Sequence, residues 1–527
     1  MTGARGSGDG PGPGRGLGPL GFGVLLGGSV LTALNYSLIG VALADIGRSL
    51  DASTADLQWV VNAFMLVSGS CMLTGAALAD RFGRVRILRA GLAVMGLASL
   101  LAASADRPGV LIAGRALLGL GAAVITPVSL AILAHAYTEP GRRVRALAAW
   151  STSASLGMAV GPSLGGILLQ HLSWSATFLI NVPGALFLLV GLARTVPESR
   201  NEDEGPLDLA GMALTMVGLG LVVWAIVQAP ERGWIDPAVL VPLVAGTAVL
   251  AAFVVLELRL ERPMLDLSLL RRGAVAGSLA MSAGLLLPFA GLIVIMSLFL
   301  RTALDYSPLA AGVALTPLAG VMMLMSTWSS RASRRWGIRA TAGAAALLAA
   351  GAMAVLLLVG PGTGRVPVLL ALSGLGAGIG LSNAPLMDAM LGAVPSSRAG
   401  MAGALLFVNR NIAQVLGVSV LGSVLSATYR AELDLDGDGV LSERARASVT
   451  EAFEVARELG GERGAVVAAR AAEALTAGAH RALLVGIVVV LAGTALAWRR
   501  LVPGAVVAVR PRDPSASEVF GTTETRP

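Results

Sequence analysis

Apolar runs of about twenty residues recur from one end of the sequence to the other, and they constrain the fold more than any other feature. A helix needs about 20 apolar residues to cross the ~30 Å hydrocarbon core of a bilayer. About fourteen runs reach that length: residues 20–44, 57–79, 87–103, 110–135, 147–169, 176–196, 209–229, 238–258, 273–300, 309–326, 340–360, 366–390, 399–427 and 481–498. Only 13% of the residues are charged and the mean hydropathy is +0.77, which excludes a soluble globular chain. The sequence therefore predicts an all-α polytopic membrane protein.

The arginines assign the two sides of the membrane. The sequence contains no lysine, so all 39 basic residues are arginines. They cluster after the second, fourth, eighth and tenth runs and after the last one, whereas the opposite short loops hold at most one each. Because cytoplasmic loops of membrane proteins collect positive charge, we predict that both termini are cytoplasmic. The net charge of +7 is then a topology signal, and no nucleic-acid partner is expected.

The fifth run has an unusual backbone composition. It contains Gly157, Gly161, Gly165 and Gly166 together with Pro162. In a membrane, neighbouring helices can satisfy the backbone groups that a proline leaves free, and glycines three or four residues apart let another helix approach closely. This pattern predicts a helix that bends and slides against a neighbour, in a structure that rocks.

The second run ends in a cluster of charged residues and a glycine. An acid at a helix end can pair with arginines or with a helix N-terminus. Asp80, Arg81, Gly83 and Arg84 are therefore predicted to form a latch between the cytoplasmic ends of two helices. The segment resembles the loop signature of the major facilitator superfamily, although Ala76 stands where that signature has glycine.

The fourth run carries Arg115 a short way from its start. A charge inside a span costs about 2.5–3.5 kcal/mol on insertion scales, so Arg115 is a candidate functional residue. With Gly119 and Gly121 it resembles the arginine motif of the same superfamily, which implies a part in proton coupling. The alternative is an arginine that reaches back to the outer interface.

The glycine-rich stretch at 157–166 resembles the antiporter motif of drug:proton antiporters, and residues 174–184 resemble the start of the sixth helix in that family. With about fourteen spans, the chain resembles the EmrB/QacA-type drug:H+ antiporters of the major facilitator superfamily. That resemblance implies a major facilitator fold, in which two six-helix bundles flank two extra central helices.

On this basis the chain divides into six parts. We expect a disordered cytoplasmic tail at 1–18, an N-terminal six-helix bundle at 19–197 and an acidic cytoplasmic linker at 198–206. The two extra helices follow at 207–260. The C-terminal bundle occupies 261–500 with an extracellular insertion at 428–478, and 501–527 form a second cytoplasmic tail.

Several positions depart from the pattern of the relatives. Asn35 and Asn62 stand where some relatives carry an acid, and Phe407 occupies a position that can be Asp. Asp388 is then the carboxylate placed well inside a predicted span. A carboxylate in a low-dielectric cavity favours its neutral form, so we predict that Asp388 is the main protonation site. The alternative is an ordinary acid at a helix end.

The resemblance also implies a central cavity between the bundles. We expect Asn35, Asn62, Arg115, Asp388 and Arg410 at or near it, Arg410 being the match to an intramembrane arginine of the family. Candidates for its apolar wall are Tyr36, Phe64, Met158 and Phe407. Because two amides replace acids, neutral or anionic substrates should be favoured over cationic drugs.

The polar insertion contains a partial calcium-loop pattern. Asp434, Asp436, Asp438 and Gly439 fit the first half of an EF-hand loop, but its twelfth position is Ala445 instead of a glutamate. We therefore expect an acidic turn, with a calcium site as the alternative. Apolar residues at helical spacing follow, which predicts a short amphipathic helix outside the membrane.

Together these features predict a proton-coupled antiporter that exports hydrophobic small molecules, such as antibiotics, across the bacterial plasma membrane by alternating access. Its expected partners are a small hydrophobic substrate, protons and the lipid bilayer, and we expect a monomer. The three histidines are far apart and lack metal-ligand spacing, and the lack of a phosphate-binding loop argues against an ATP-driven pump. We expect no enzyme activity, no metal site and no cofactor. Two alternatives stay open: a metabolite importer or facilitator of the same fold, and a non-transporting receptor or scaffold.

Overall fold

The computed structural model describes residues 17–200, 208–260, 267–360, 363–394, 399–435, 444–446 and 448–500. These residues are almost entirely helical and include no β-strand. The side of the bundle that carries both chain ends is called the cytoplasmic side here, following the arginine distribution. Most of the two tails, part of the acidic linker and residues 436–443 of the EF-hand-like segment lie outside the described residues.

Fifteen helices, including one short external helix, carry the architecture of the described chain. They are α1 Pro19–Ser49, α2 Thr54–Phe82, α3 Arg84–Ala103, α4 Pro108–Ala136, α5 Pro140–His171, α6 Ala176–Thr195, α7 Leu209–Arg232, α8 Pro237–Arg259, α9 Gly273–Thr302, α10 Pro308–Trp336, α11 Ile338–Leu356, α12 Arg365–Gly392, α13 Ala399–Glu432, α14 Val449–Leu459 and α15 Gly461–Arg500. All except α14 are long and apolar enough to cross a membrane, which gives fourteen candidate spans in the described chain. The predicted polytopic helical class is confirmed.

Several helices are longer than the apolar runs that predicted them. The fifth helix begins at Pro140, the tenth ends at Trp336, and α15 begins at Gly461, within the segment expected to be part of the insertion. Hydropathy detects only the part of a helix that lies in hydrocarbon, whereas backbone hydrogen bonding continues into the polar region. The extra turns of α15 are rich in alanine, the best helix former.

Local sequence signals set many of the helix ends. Ser53 and Asp56 form a capping box, in which each side chain accepts a hydrogen bond from the other residue's backbone N–H. Proline occupies the first position of five helices, where its missing N–H has no intrahelical partner to lose. Gly83 after α2 and Gly337 after α10 both have positive φ, of 105° and 82°, which a glycine adopts without strain.

Small residues set the spacing between helices inside each half of the molecule. A Cβ added to Gly119 of α4 would lie 2.5 Å from the carbonyl oxygen of Phe64 on α2, so these two backbones are in close contact. In the second half, Gly376 and Gly380 of α12 approach the backbone of α10 at Leu318 and Met322 in the same way. Close backbone approach through glycine is the ordinary packing mode of membrane helices.

The two extra helices pack on one side of the molecule. α7 contacts both α2 of the first half and α13 of the second half. α8 packs chiefly against α7, where Gly218 and Gly246 meet, and it leaves apolar side chains such as Val241 and Val244 exposed. An exposed apolar face on a membrane helix is the surface that contacts lipid.

The external helix α14 lies across the outer ends of the membrane helices. Its buried side chains, Val449 and Val455 among them, face the protein, and it packs against α15, α1 and α9. A Cβ at Gly47 of α1 would lie 3.0 Å from the Thr450 methyl group. A segment of the second half of the chain thus rests on the first half at the outer surface.

Candidate functional site

A cavity lies where the two halves meet. It encloses about 720 Å³ of empty space, counting its mouth, and is lined by α1, α2 and α5 from the first half and by α9, α10 and α13 from the second. Most of the lining is apolar, as at Met65, Met158 and Phe289, and the polar side chains that line it are Tyr36, Ser37 and Gln414. None of the lining residues that the structure describes is charged.

Three of the glycines in α5 pack against α1. A Cβ at Gly157 would lie 2.7 Å from the carbonyl oxygen of Val30, one at Gly161 would overlap Ser37, and one at Gly165 would touch Leu38. Since both helices belong to the same half of the chain, this glycine face fixes α5 to its own bundle.

The fourth glycine and the proline make a different contact. A Cβ at Gly166 would lie 2.7 Å from the carbonyl oxygen of Pro308 and 2.9 Å from the Leu309 Cα, both on α10. The Pro162 carbonyl meets Gly312 of α10, and the Ser163 and Thr316 hydroxyls are 2.6 Å apart. These contacts lie in the outer halves of α5 and α10 and close the cavity toward the outside.

An ion pair joins the two halves above this contact. Arg301 of α9 donates from Nη2 to Asp45 Oδ1 of α1 at 3.0 Å, and its Nη1 donates to the Tyr306 carbonyl at 2.8 Å. Arg48 pairs with the same carboxylate from within α1. Among the ion pairs between described residues, Asp45–Arg301 is the one that connects the two bundles.

The outer ends of α2 and α13 also meet. Asn62 is fully buried and donates from Nδ2 to the Ser419 hydroxyl at 2.9 Å. Near it, a Cβ at Gly422 would lie 2.6 Å from the Gln58 side chain. The structure thus places Asn62 in a contact between the bundles instead of on the cavity wall.

Arg115 lies inside the first bundle, behind the cavity wall. Only 1% of it is exposed, and it donates from Nε to the Val60 carbonyl at 2.9 Å and from Nη1 to the Asn35 carbonyl at 3.3 Å. Its guanidinium carbon is 4.4 Å from the centroid of the Phe64 ring, within the range of a cation–π contact. Arg115 is therefore held by backbone carbonyls and an aromatic face, with no carboxylate among its described partners.

Asn35 is buried and pairs with Asn181 of α6. Each side-chain amide donates to the oxygen of the other at 3.0 Å, and Asn35 also donates to the Leu31 carbonyl. The pair satisfies two amides within the apolar interior and links α1 to α6. Asn35 therefore has a packing role in this structure and does not line the cavity.

Tyr36 and Phe64 form two layers between the cavity and Arg115. Tyr36 lines the cavity, its ring meets the Phe64 ring edge-to-face at 4.7 Å, and Phe64 is completely buried. The Tyr36 hydroxyl lies 3.4 Å from the Ser68 hydroxyl and 3.5 Å from Asn411 Oδ1 of α13. Of the four predicted wall residues, Tyr36 and Met158 line the cavity.

The predicted residues of the second bundle lie nearer the cytoplasmic side. Arg410 donates from Nη2 to Asn383 Oδ1 at 2.8 Å and so connects α13 to α12. Phe407 is 39% exposed and does not line the cavity. Asp388 has an exposed side chain four residues before the end of α12, and its role as the main protonation site stays a prediction.

The cytoplasmic latch has an additional member. Asp80 of α2 accepts a hydrogen bond at 2.8 Å from Arg84, the first residue of α3. Glu198 accepts the backbone N–H groups of Val85 and Arg86 at 2.8 and 3.0 Å, so it caps the start of α3. A Cβ at Gly83 would lie 2.9 Å from the Glu198 carboxyl carbon. Asp80 therefore pairs with an arginine, and the acid that meets the N-terminus of α3 is Glu198.

Sequence reasoning missed Asp45, Asn181, Glu198 and Gln414. Asp45 lies four residues before the end of α1, where an acid ordinarily faces water. The partners of Asn181 and Glu198 are more than 100 residues away along the chain. The family motif around Asn181 was a usable signal, whereas only the fold identifies Gln414 as a cavity residue.

Comparisons with known proteins agree with this architecture. The family model of the Major Facilitator Superfamily matches residues 25–418. The chain is 33% identical over 410 residues to the multidrug resistance protein Stp of Mycobacterium tuberculosis, covering 77% of this chain and 76% of Stp. It is 34% identical over 418 residues to the puromycin resistance protein of Streptomyces alboniger, covering 78% and 83%. The methyl viologen resistance protein SmvA of Salmonella typhimurium is 30% identical over 438 residues, covering 81% and 87%.

Solved structures show the same fold. A bacterial homologue of the human lysosomal transporter Spinster, in an inward-facing and occupied conformation, matches with a TM-score of 0.66 at 18% identity, covering 91% of this chain and 96% of that one. A peptide transporter in complex with sulfate matches with a TM-score of 0.60 at 17% identity, covering 93% and 97%. The chain therefore belongs to the major facilitator superfamily, as a multi-pass transporter of the bacterial inner membrane and not an enzyme.

Proposed function

We propose that this transporter exports uncharged hydrophobic small molecules by alternating access, in exchange for protons. The observation that carries the proposal is the uncharged, largely apolar cavity between the two bundles, which is closed toward the outside by α5 and α10. Relatives named for resistance to puromycin and to multiple drugs support export as the direction of transport.

The contacts between the bundles indicate how the cavity would change sides. Those described at Gly166, Asn62 and Asp45 all lie in the outer half of the molecule, which corresponds to an inward-facing state. Export requires these contacts to break while the cytoplasmic ends of the bundles come together. The glycine face between α5 and α1 stays within one bundle, so α5 would move with α1 as a unit.

The cavity lining bears on the charge of the substrate. Moving an ion from water into an apolar site is strongly unfavourable unless an opposite charge compensates it. The described lining offers the Tyr36 and Ser37 hydroxyls and the Gln414 amide, but no carboxylate for a cation. Arg115 contributes a positive charge behind Tyr36 and Phe64, which disfavours cations further. Uncharged compounds are therefore the proposed substrates, and the chain would differ here from the relative named for methyl viologen.

Accumulation assays in a bacterial strain that lacks its own efflux pumps test this function. Cells that express the protein should accumulate less radiolabelled chloramphenicol, an uncharged antibiotic, than cells with an empty vector, and an uncoupler should abolish the difference. Accumulation of ethidium and methyl viologen, which are permanent cations, should be unchanged. Greater accumulation of chloramphenicol on expression would indicate an importer, and preferential export of the two cations would refute the substrate class.

A further inference from the structure

The face of α10 that points away from the central cavity ends in arginines at the cytoplasmic side. Leu324, Trp328, Arg331 and Arg335 follow one another at helical spacing along this face, and all four side chains are exposed. Trp328 is 61% exposed. Leu315, which lines the central cavity, lies on the opposite face of the helix. The exposed face of α10 therefore contacts lipid along its apolar part and reaches the membrane surface at its arginines.

The cytoplasmic end of α15 has the same order of side chains. Leu491 and Trp498 are exposed on one face of the helix, and Arg499 and Arg500 end it. Tryptophan is enriched where a membrane meets water, and arginine collects on the cytoplasmic side. An exposed apolar stretch followed by a tryptophan and then by arginines thus marks the level of the lipid headgroups on both helices.

The start of α11 joins these two helix ends into one surface. α11 contacts both α10 and α15, and its Arg339 donates from Nη2 to the Trp498 carbonyl at 2.7 Å. The guanidinium carbon of Arg339 lies 5.9 Å from the centroid of the Trp498 ring, within the range of a cation–π contact. A Cβ at Gly343 of α11 would lie 2.8 Å from the same ring, so Trp498 packs closely on α11. We call the combined area the arginine–tryptophan surface, which consists of Trp328, Arg331, Arg335, Arg339, Trp498 and Arg499.

The positive charge of this surface is not balanced by acids on the same helices. Neither α10, nor α11, nor residues 481–500 of α15 contain an Asp or Glu, and none of the four arginines of the surface forms an ion pair with another described residue. Asp388 of α12 interacts with Arg334, which lies on another face of α10. The matching loop of the first bundle differs, since Asp80 pairs there with Arg84 and Glu198 caps α3. The second bundle therefore presents free arginines where the first presents paired ones.

The headgroup of an anionic lipid has the chemistry that fits this surface. Guanidinium groups bind phosphate through paired N–H donors, and basic clusters on the cytoplasmic side of membrane helices attract anionic lipids. A free phosphate ion would use the arginines but would gain nothing from Trp328 and Trp498. Nor would it contact Leu324 and Leu491, which continue the two exposed faces into the membrane. Membrane topology accounts for arginines on this side of the bilayer, but it requires neither the exposed tryptophans nor the lack of balancing acids.

We infer that the arginine–tryptophan surface binds an anionic phospholipid of the cytoplasmic leaflet, with phosphatidylglycerol as the representative. Its phosphate would contact the arginines, and its acyl chains would lie along the exposed faces of α10 and α15. Because all three helices belong to the second bundle, the lipid would stay bound while the two bundles move against each other. The inference is independent of the transported substrate.

Native mass spectrometry of the purified full-length protein tests this binding directly. With dioleoyl phosphatidylglycerol and dioleoyl phosphatidylcholine as probes, the wild-type protein should retain the anionic lipid more tightly. The combined variant Arg331→Gln/Arg335→Gln/Arg499→Gln changes three exposed side chains, so it should fold normally, which its melting temperature checks. Its affinity for phosphatidylglycerol should fall by at least about tenfold. The matched control Arg142→Gln/Arg143→Gln/Arg145→Gln removes the same charge from exposed positions of α5 and should bind this lipid as the wild type does.

A fluorescence measurement locates the acyl chains. Phosphatidylglycerol with brominated acyl chains should quench the tryptophan fluorescence of the wild-type protein in detergent, and part of this quenching should be lost in Trp328→Phe. Unchanged quenching in that variant would contradict a lipid seated on α10.

Three other results would overturn the inference. Equal losses of affinity in the two triple-arginine variants would show that net charge alone attracts the lipid. Displacement of the lipid by millimolar inorganic phosphate would show that the arginines recognise a free anion. A preference for phosphatidylglycerol that emerges only after Asp513, Glu518 and Glu524 are replaced by amides would show that the acidic C-terminal tail is the natural occupant.

Discussion

The contact between Gly166 and α10 gives the sharpest test of the closure described above. A Cβ at this position would lie 2.7 Å from the Pro308 carbonyl oxygen, whereas ordinary contacts begin near 3.4 Å, so the helices would have to separate by about 0.7 Å. The obstructing atoms belong to the backbone and cannot rotate away. Overpacking of this kind typically costs about 1–3 kcal/mol. Gly166→Ala should therefore destabilise the state that is closed toward the outside.

Because the strain exists only while α5 and α10 touch, the same substitution leaves the outward-open state unaffected. A difference of about 1–3 kcal/mol corresponds to a shift of roughly 5- to 150-fold toward that state. Labelling of a cavity cysteine from outside the cell measures this shift. The reporter is Gln414→Cys, in a background where the buried native Cys71 is replaced by serine, and its rate of reaction with a membrane-impermeant maleimide is measured with and without Gly166→Ala. The rate should rise by the same factor when Gly166→Ala is added.

Two other glycines provide matched controls. Gly320 lies on α10 with nothing within 4 Å of an added Cβ, so Gly320→Ala should leave the labelling rate unchanged. An added Cβ on Gly157 would lie 2.7 Å from the Val30 carbonyl oxygen within the same bundle, so Gly157→Ala should lower thermal stability without favouring either state. If Gly166→Ala labels at the original rate, or if Gly320→Ala accelerates labelling equally, the outer closure is not formed by this contact.

Three further perturbations follow from the geometry. Asp45→Asn removes the ion pair with Arg301. Because hydrogen bonds to charged groups contribute about 1.5–3 kcal/mol, the rate of external labelling should rise by about tenfold or more. Arg48→Gln is the control: its partner lies in its own helix, so the labelling rate should change far less. Equal effects of the two would contradict a link between bundles. Asn35→Ala leaves the buried Asn181 amide without its partner, so the protein should lose about 1–3 kcal/mol of stability and melt at a lower temperature in detergent. An unchanged melting temperature would refute the structural role of the pair. Gln414→Glu places a carboxylate on the cavity wall and should confer export of ethidium in the accumulation assay. A variant that still fails to export ethidium would argue against the charge of the lining as the determinant of selectivity.

The helices could be predicted from the sequence because the signal for a membrane span is local. Twenty apolar residues in a row define a span regardless of what packs against it, so the order of the helices followed directly from hydropathy. The ends of α10 and α15 were missed because their last or first turns are polar but still hydrogen-bonded as helix. The short helix α14 was expected from its apolar spacing, since that signal is also local.

The site was less predictable because membrane helices place residues of distant sequence together. Arg115 was recognised as unusual, but its partners are the backbone carbonyls of Val60 and Asn35, which no sequence pattern identifies. Asp388 was favoured because it lies inside an apolar run, and sequence alone could not show that its side chain is partly exposed near the cytoplasmic end of α12. Glu257 is close to a helix end in the sequence, yet only 3% of it is exposed in the structure. Burial depends on neighbours, and hydropathy does not record them.

The position of α14 gives this transporter a surface that can be reached from outside the cell. The helix belongs to the second half of the chain, but it rests on the turn between α1 and α2, where the Ser448 hydroxyl meets the Ala52 carbonyl. An antibody fragment that bound α14 and this turn at once would tie the two bundles together across the gap that export must open. It would stop the transport cycle without entering the cavity or crossing the membrane, and changes in the drug-binding wall would not relieve the inhibition.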